Sequence, residues 1–174
     1  MGFVTVSVWV SRIKKTSPGH VAMMINEKSR IPEDGYVSFA PVKSGSVYGP
    51  GKFYSYSDDE EHYIDTMAKG SELRGCWVGK IYGLNTDWMM EQFRIDQKQP
   101  PTYSIANECA TTVHRYLQIG GGDEHAGIWS RNVLGFWSPD DVEDYARDIV
   151  KHTHQLGSRG HKTVGAGTIR WPLW

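Results

Sequence analysis

Apolar and polar residues alternate strictly at the start of the chain. Val4, Val6, Val8 and Val10 fall on one side and Thr5, Ser7 and Trp9 on the other, the period-two signature of a half-buried strand. Ser17-Pro18-Gly19 breaks that run, and residues 20–25, His-Val-Ala-Met-Met-Ile, predict a second strand. The polar stretch 26–35, with Pro32 and Asp34-Gly35, reads as a hairpin loop. A third strand is predicted over 36–40 and stopped by Pro41, and a fourth over 76–82. Residues 43–75, with their Ser-Gly and Gly-Pro-Gly clusters and the acidic run 58–61, predict surface loops.

The period then changes from two to about 3.6. Asn85-Thr86-Asp87 can cap a helix over about residues 88–95, with Trp88, Met89, Gln92 and Phe93 facing inward, and Pro100-Pro101 ends that region. Ile105, Cys109, Thr112, Val113, Tyr116 and Leu117 recur at helical spacing, so a helix is predicted over 104–117, terminated by Gly120-Gly121-Gly122. Ser138-Pro139-Asp140-Asp141 opens another helix with Ser as cap, Pro in the first turn and acids at the positive end. Its apolar face is Val142, Tyr145, Ala146, Ile149 and Val150. The stretch 168–174 is expected to be an edge strand or a docked tail.

Composition narrows the classes. The 174 residues fit one domain with a core of its own. With 39% hydrophobic and 22% charged residues, the chain is globular rather than disordered. A net charge of −1, and no basic stripe beyond Arg12-Lys14-Lys15, argue against nucleic acid as a partner. No apolar run approaches the length of a membrane span. The first residues carry their cationic groups after the apolar part and lack a small-residue cleavage site, so they read as a strand and not as a signal peptide. Synthesis in the cytoplasm without a signal peptide is expected, with any export left to a dedicated machine. The two cysteines, Cys76 and Cys109, are too few for a disulfide scaffold; two buried thiols are the default and one bridge the alternative.

Candidate chemistry centres on Cys109. A thiol in the first turn of a helix feels the positive end of the macrodipole, which favours the reactive thiolate, and the same backbone N–H groups can donate to an oxyanion. The competing reading is a small core residue on an apolar face. His20 opens a strand after a sharp Ser-Pro-Gly turn, where a ring can be presented to a helix terminus. Taken singly, a surface histidine is the plainer reading.

The text around both residues resembles a known family. Gly19-His20-Val21, then Gly35-Tyr36-Val37-Ser38-Phe39-Ala40-Pro41, then Asn107-Glu108-Cys109-Ala110-Thr111-Thr112-Val113 with Leu117 and Gly120-Gly121, is similar to the permuted branch of the NlpC-type papain-like hydrolases. That branch includes toxin domains and type VI secretion effectors. The histidine strand precedes the cysteine helix here, which is the permuted order, and Ser138-Pro139-Asp140-Asp141-Val142 resembles a helix start near the end of such domains.

The resemblance implies an α+β papain-like fold in a single domain over 1–174, with a small antiparallel sheet packed against helices. It implies Cys109 as nucleophile and His20 as general base, with Ser38 as the imidazole's orienting partner and Glu33 as the fallback. Tyr103 and Asn107 are expected near the oxyanion and substrate. Glu108 interrupts the family's Asn-Cys text; it is expected in the helix start, turned about 100° from the thiol. The implied activity is a cysteine amidase or peptidase working through an acyl-enzyme, without cofactor or metal. Its expected substrate is bacterial peptidoglycan peptides, and its expected setting is a secreted antibacterial effector with an immunity protein. A lipid esterase or acyltransferase of the same superfamily, and a non-catalytic toxin-associated module, are the alternatives. His152, His154 and His161 match no strong metal-binding spacing.

Overall fold

The computed structural model describes residues 2–9, 19–25, 35–59, 77–127 and 137–157. The opening alternation becomes β1 (Phe3–Trp9), with Val4, Val6 and Val8 fully buried and Phe3, Thr5 and Ser7 half-buried. β1 is central in an antiparallel sheet. It pairs on one side with β2 (His20–Ile25), Trp9 opposite His20 and Val4 opposite Ile25. On the other side it pairs with β6 (Trp77–Tyr82), Val8 opposite Trp77. β3 (Tyr36–Val37) adds to the outer side of β2, giving the order β3-β2-β1-β6.

The single strand expected over 36–40 is divided in two at Ser38. Beyond it β4 (Phe39–Pro41) leaves the first sheet and joins a second one of order β4-β5-β7. β5 (Gly49–Phe53) and β7 (Thr102–Tyr103) complete that sheet. β5 arises inside a stretch expected to be loop. Its Gly-Pro-Gly text lets the backbone pass close to the Phe39 ring, which a side chain at Gly51 would strike. A short helix, α1 (Tyr56–Asp59), follows β5.

α2 (Thr86–Lys98) is capped by Asn85, whose side chain accepts from the Trp88 amide. Its buried stripe is Thr86, Met89, Phe93 and Asp96. Trp88, expected inward, is 63% exposed, because it lies one helical step off that stripe on the first turn. α3 (Cys109–Ile119) starts later than its periodicity suggests. Ser104 and Asn107 bond each other's backbone in a tight turn, and Ile105, counted above on the apolar face, points to solvent. α4 (Gly122–His125) is one turn, and α5 (Pro139–Gly157) is the longest helix. Ser138 caps α5 reciprocally: its amide and hydroxyl donate to the Asp141 carboxylate, and its Oγ accepts from the Asp141 amide.

α3 lies along β2 and α5 across β6 and β1. The predicted faces of both helices pack there: Ala110, Val113, Tyr116 and Leu117 from α3, and Val142, Tyr145, Ala146, Ile149 and Val150 from α5. They meet Val4, Val6, Val8, Val21, Met23 and Ile25 of the sheet in one continuous core. Each large aliphatic side chain sealed there contributes roughly 1.5–3 kcal/mol. The whole is an α+β arrangement of small antiparallel sheets packed against helices. The expected tail element at 168–174 lies outside the described residues.

Candidate functional site

His20 is the first residue of β2, preceded by Gly19 at φ +78°. That backbone requires glycine, since a Cβ there would strike the Trp9 carbonyl oxygen. The turn delivers the His20 ring against Trp9, with centroids 5.6 Å apart and planes inclined by 28°. Its Nε2 shares a 2.9 Å hydrogen bond with the Ser38 hydroxyl, and both residues are buried. Ser38 can serve the ring because it sits at the point where the chain passes from β3 to β4. A hydroxyl either accepts from the ring N–H or donates to its lone pair, so it orients the imidazole without imposing a charge on it. The fallback orienter, Glu33, lies outside the described residues, as does Cys76.

Cys109 is the first residue of α3, a buried free thiol. The two ends of α3 can be placed on the sheet. Its C-terminal Gly120 accepts a hydrogen bond from Asn85, just beyond the end of β6 where Phe3 and Ile25 also lie. The helix has 11 residues and so spans about 16 Å, close to the length of the six-residue β2. Cys109 therefore lies towards the His20 end of the strand. α3 covers the face of β2 that carries Val21, Met23 and Ile25, whereas Ala22 and Met24 join Trp9 and Tyr36 in a second cluster. His20, stacked on Trp9, belongs to that second face. The structure thus joins His20 to Ser38, and puts Cys109 at the same end of β2 on the face that α3 covers.

The loop entering α3 holds the other expected residues. Asn107 donates its side-chain amide to the Thr102 carbonyl at 2.9 Å, and its backbone N–H to the Ser104 carbonyl at 2.9 Å. Its donor therefore closes the loop that presents Cys109. Tyr103 is half-buried on β7, its ring 5.9 Å from that of Phe39. Burial, with the nearby Cys109 and Glu108, raises its phenol to about 12, so it remains a proton donor across the physiological range.

Glu108 departs from expectation. It precedes the helix as its N-cap, with extended backbone and no capping hydrogen bond from its side chain, instead of sitting within the first turn. The reason is the 104–107 turn, which keeps the chain out of helix until Cys109. Partial burial of this carboxyl raises its pKa to about 7. Sequence reasoning also passed over Thr112, fully buried one turn after the thiol with its hydroxyl unpartnered among the described residues. Periodicity signals only that Thr112 faces inward, and nothing in the text marks its hydroxyl.

No group of three or more His, Cys, Asp or Glu is gathered among the described residues as a metal ion would require. His152 donates from Nδ1 to the Asp148 carbonyl, while the side chain of His154 and all of His161 lie outside the described residues. No helix of the described residues is long and apolar enough to cross a membrane.

The model of one protein family, described as the IcsB middle domain, matches residues 58–168. The matched range contains Tyr103, Asn107, Glu108 and Cys109 and begins after His20 and Ser38. No curated protein and no solved structure matches the chain.

Proposed function

The chain belongs to the IcsB middle-domain family, and we propose that it is a cysteine-dependent acyl-transfer enzyme with Cys109 as nucleophile and His20 as general base. The observation that carries this reading is the buried His20–Ser38 hydrogen bond, formed at the end of β2 towards which α3 begins with Cys109. A buried imidazole held by a hydroxyl, and a thiol at a helix start, are the two halves of an activated nucleophile. They approach β2 from its two faces.

In this reaction the Cys109 thiol gives its proton to His20. The thiolate attacks a carbonyl carbon, forming an S–C bond and a tetrahedral oxyanion. The N–H groups of the first turn of α3 and the Tyr103 hydroxyl stabilise that oxyanion. The C–N bond then breaks as the His20 imidazolium protonates the departing amine, leaving a thioester on Cys109. Water, deprotonated by His20, attacks the thioester to release the acid and restore the thiol.

The substrate proposed is an amide in bacterial peptidoglycan, the setting a secreted effector delivered by dedicated machinery. A second reading, an ester or long acyl chain as substrate, is favoured by the exposed Val47, Tyr48 and Ile105 near the loop that enters α3.

The test is to incubate the protein, Cys109→Ala and His20→Gln with peptidoglycan and with phospholipid vesicles, and to identify products by mass spectrometry. Cleaved peptides from the unaltered protein alone are expected. Cleavage that persists in Cys109→Ala would overturn the nucleophile, and released fatty acid with intact muropeptides would move the substrate to the second reading.

A further inference from the structure

One end of the second sheet gathers apolar side chains that nothing covers among the described residues. Val42 follows β4 and bonds Pro50 of β5 through its backbone N–H. Val47 and Tyr48 lead into β5, and Gly49 pairs with Tyr103, which brings the turn containing Ile105 alongside Tyr48. The β4–β5 connection and the turn after β7, distant in sequence, thus present their apolar residues at one tip. Val42, Val47, Tyr48 and Ile105 are all more than half exposed. Such side chains scattered singly need no explanation, but four gathered on the ends of neighbouring strands form a patch.

The charge around this tip is one-sided. No Asp or Glu occurs from Tyr36 through Ser57, or from Gln97 through Asn107, although the chain has 20 acidic residues and a net charge of −1. The same two segments hold Lys43, Lys52 and Lys98, each exposed. Lys43 lies between Val42 and Val47, and the Lys52 ammonium sits over the Tyr54 ring. Lys52 faces the Asp58 carboxylate and Glu108 lies near Tyr103, which leaves Lys43, between the apolar residues of the tip, as the cation there. Apolar side chains, an aromatic among them, with a lysine in their midst suit an interface that is apolar within and anionic at its surface.

We propose that this tip is a membrane-docking element that inserts Val42, Val47, Tyr48 and Ile105 into the interfacial region of an anionic lipid bilayer, with Lys43 on the headgroups. The loop that leads to Cys109 starts from β7, within this same sheet, so docking holds the start of α3 close to the bilayer. The docking is independent of the cysteine chemistry proposed above and survives its loss.

The experiment is co-sedimentation of the full chain with vesicles of phosphatidylcholine alone and of phosphatidylcholine with phosphatidylserine. Preferential binding to the second, weakened by salt, is expected. Lys43→Ala should lower the partition coefficient about fivefold, and the double change Val47→Asp with Tyr48→Asp should abolish binding. Cys109→Ala should bind as the unaltered chain does. Lys43, Val47 and Tyr48 are exposed, so unchanged thermal unfolding of the tip variants will separate lost docking from lost folding.

No preference for anionic vesicles, or binding indifferent to both tip changes, overturns the proposal. Two further results also overturn it. One is self-association by light scattering that the tip changes abolish, which would assign the patch to a second copy. The other is equal binding to polyglutamate that ignores Val47→Asp with Tyr48→Asp, which would leave a surface of charge alone.

Discussion

The His20 ring and the Ser38 hydroxyl meet at 2.9 Å across 18 residues of chain, in a space closed to solvent. Removing the hydroxyl leaves a buried ring nitrogen without that partner, a loss of about 1–3 kcal/mol. Ser38→Ala should lower unfolding free energy by that amount, read by denaturant titration. If the bond orients a catalytic imidazole, turnover should fall about tenfold or more while alkylation of Cys109 by iodoacetamide changes little. Equal loss of both would mean that Ser38 supports the helix start and not the ring.

Glu108 is held back from ionising by its burial, and its pKa of about 7 sets a pH window. The folded chain binds this proton up to about pH 7, the unfolded chain only to about 4.5. Between those values the folded state holds more protons, so stability falls as pH rises, and the penalty is complete above pH 7. Discounted for partial exposure, it is on the order of 1–2 kcal/mol. Glu108→Gln should therefore be more stable than the unaltered chain at pH 8 and nearly equal to it at pH 4, measured by chemical denaturation.

The sequence made β1, β6 and α5 legible because their burial follows a single period: Val4, Val6 and Val8 along β1, and Val142, Tyr145, Ala146 and Ile149 along α5. Asn85 and Ser138 could be read as caps because capping is local chemistry. The start of α3 was misplaced because Ile105 falls at helical spacing by chance, while the Ser104–Asn107 turn is fixed by hydrogen bonds that periodicity does not register. The second sheet was unreadable for a similar reason: β7 is two residues long and exists only by pairing with β5, about 50 residues earlier. The pairing of Ser38 with His20 was legible only through the family resemblance of the text around them. The face on which α3 packs was not, because β2 is apolar on both sides and Val21 and Ala22 are equally fit for the core.

His114 carries a second pH dependence, of opposite sign. Its ring stacks on Trp137 at 3.5 Å and lies edge-on to Tyr145, and burial lowers its pKa to about 4 despite the nearby Asp123. The unfolded chain takes up this proton near pH 6.5, the folded chain only near 4. Stability should therefore be full above 6.5 and fall as pH drops through that window. His114→Phe keeps an aromatic plane against Trp137 without the titration. Because Glu108 titrates in an overlapping window with the opposite sign, the check is the difference: the unfolding free energy of His114→Phe relative to the unaltered chain should rise as pH falls from 6.5 to 4.

Asp96 ties α2 to α3. Its carboxylate accepts from Gln92 at 2.8 Å, from the Tyr116 hydroxyl at 2.7 Å, and from the Arg115 guanidinium. Tyr116 is fully buried, and its phenol is pushed well above the usual range, by burial first and then by this carboxylate. Asp96→Ala removes the acceptor for two consecutive α3 residues and leaves the Tyr116 hydroxyl buried without it. A loss of about 1–3 kcal/mol is expected, the range for a buried hydroxyl left without its partner; the pair with Arg115, whose side chain is 39% exposed, adds little. Asp96→Asn keeps the shape and one acceptor oxygen but not the charge, and should lose less than Asp96→Ala. Hydrogen exchange supplies the local check. Amides of α3 should lose protection in Asp96→Ala, while those of β1 change only by the global loss. Uniform loss in both elements would mean that α3 opens only with the whole domain, and that the Asp96 cluster holds no local control over the helix that begins at Cys109.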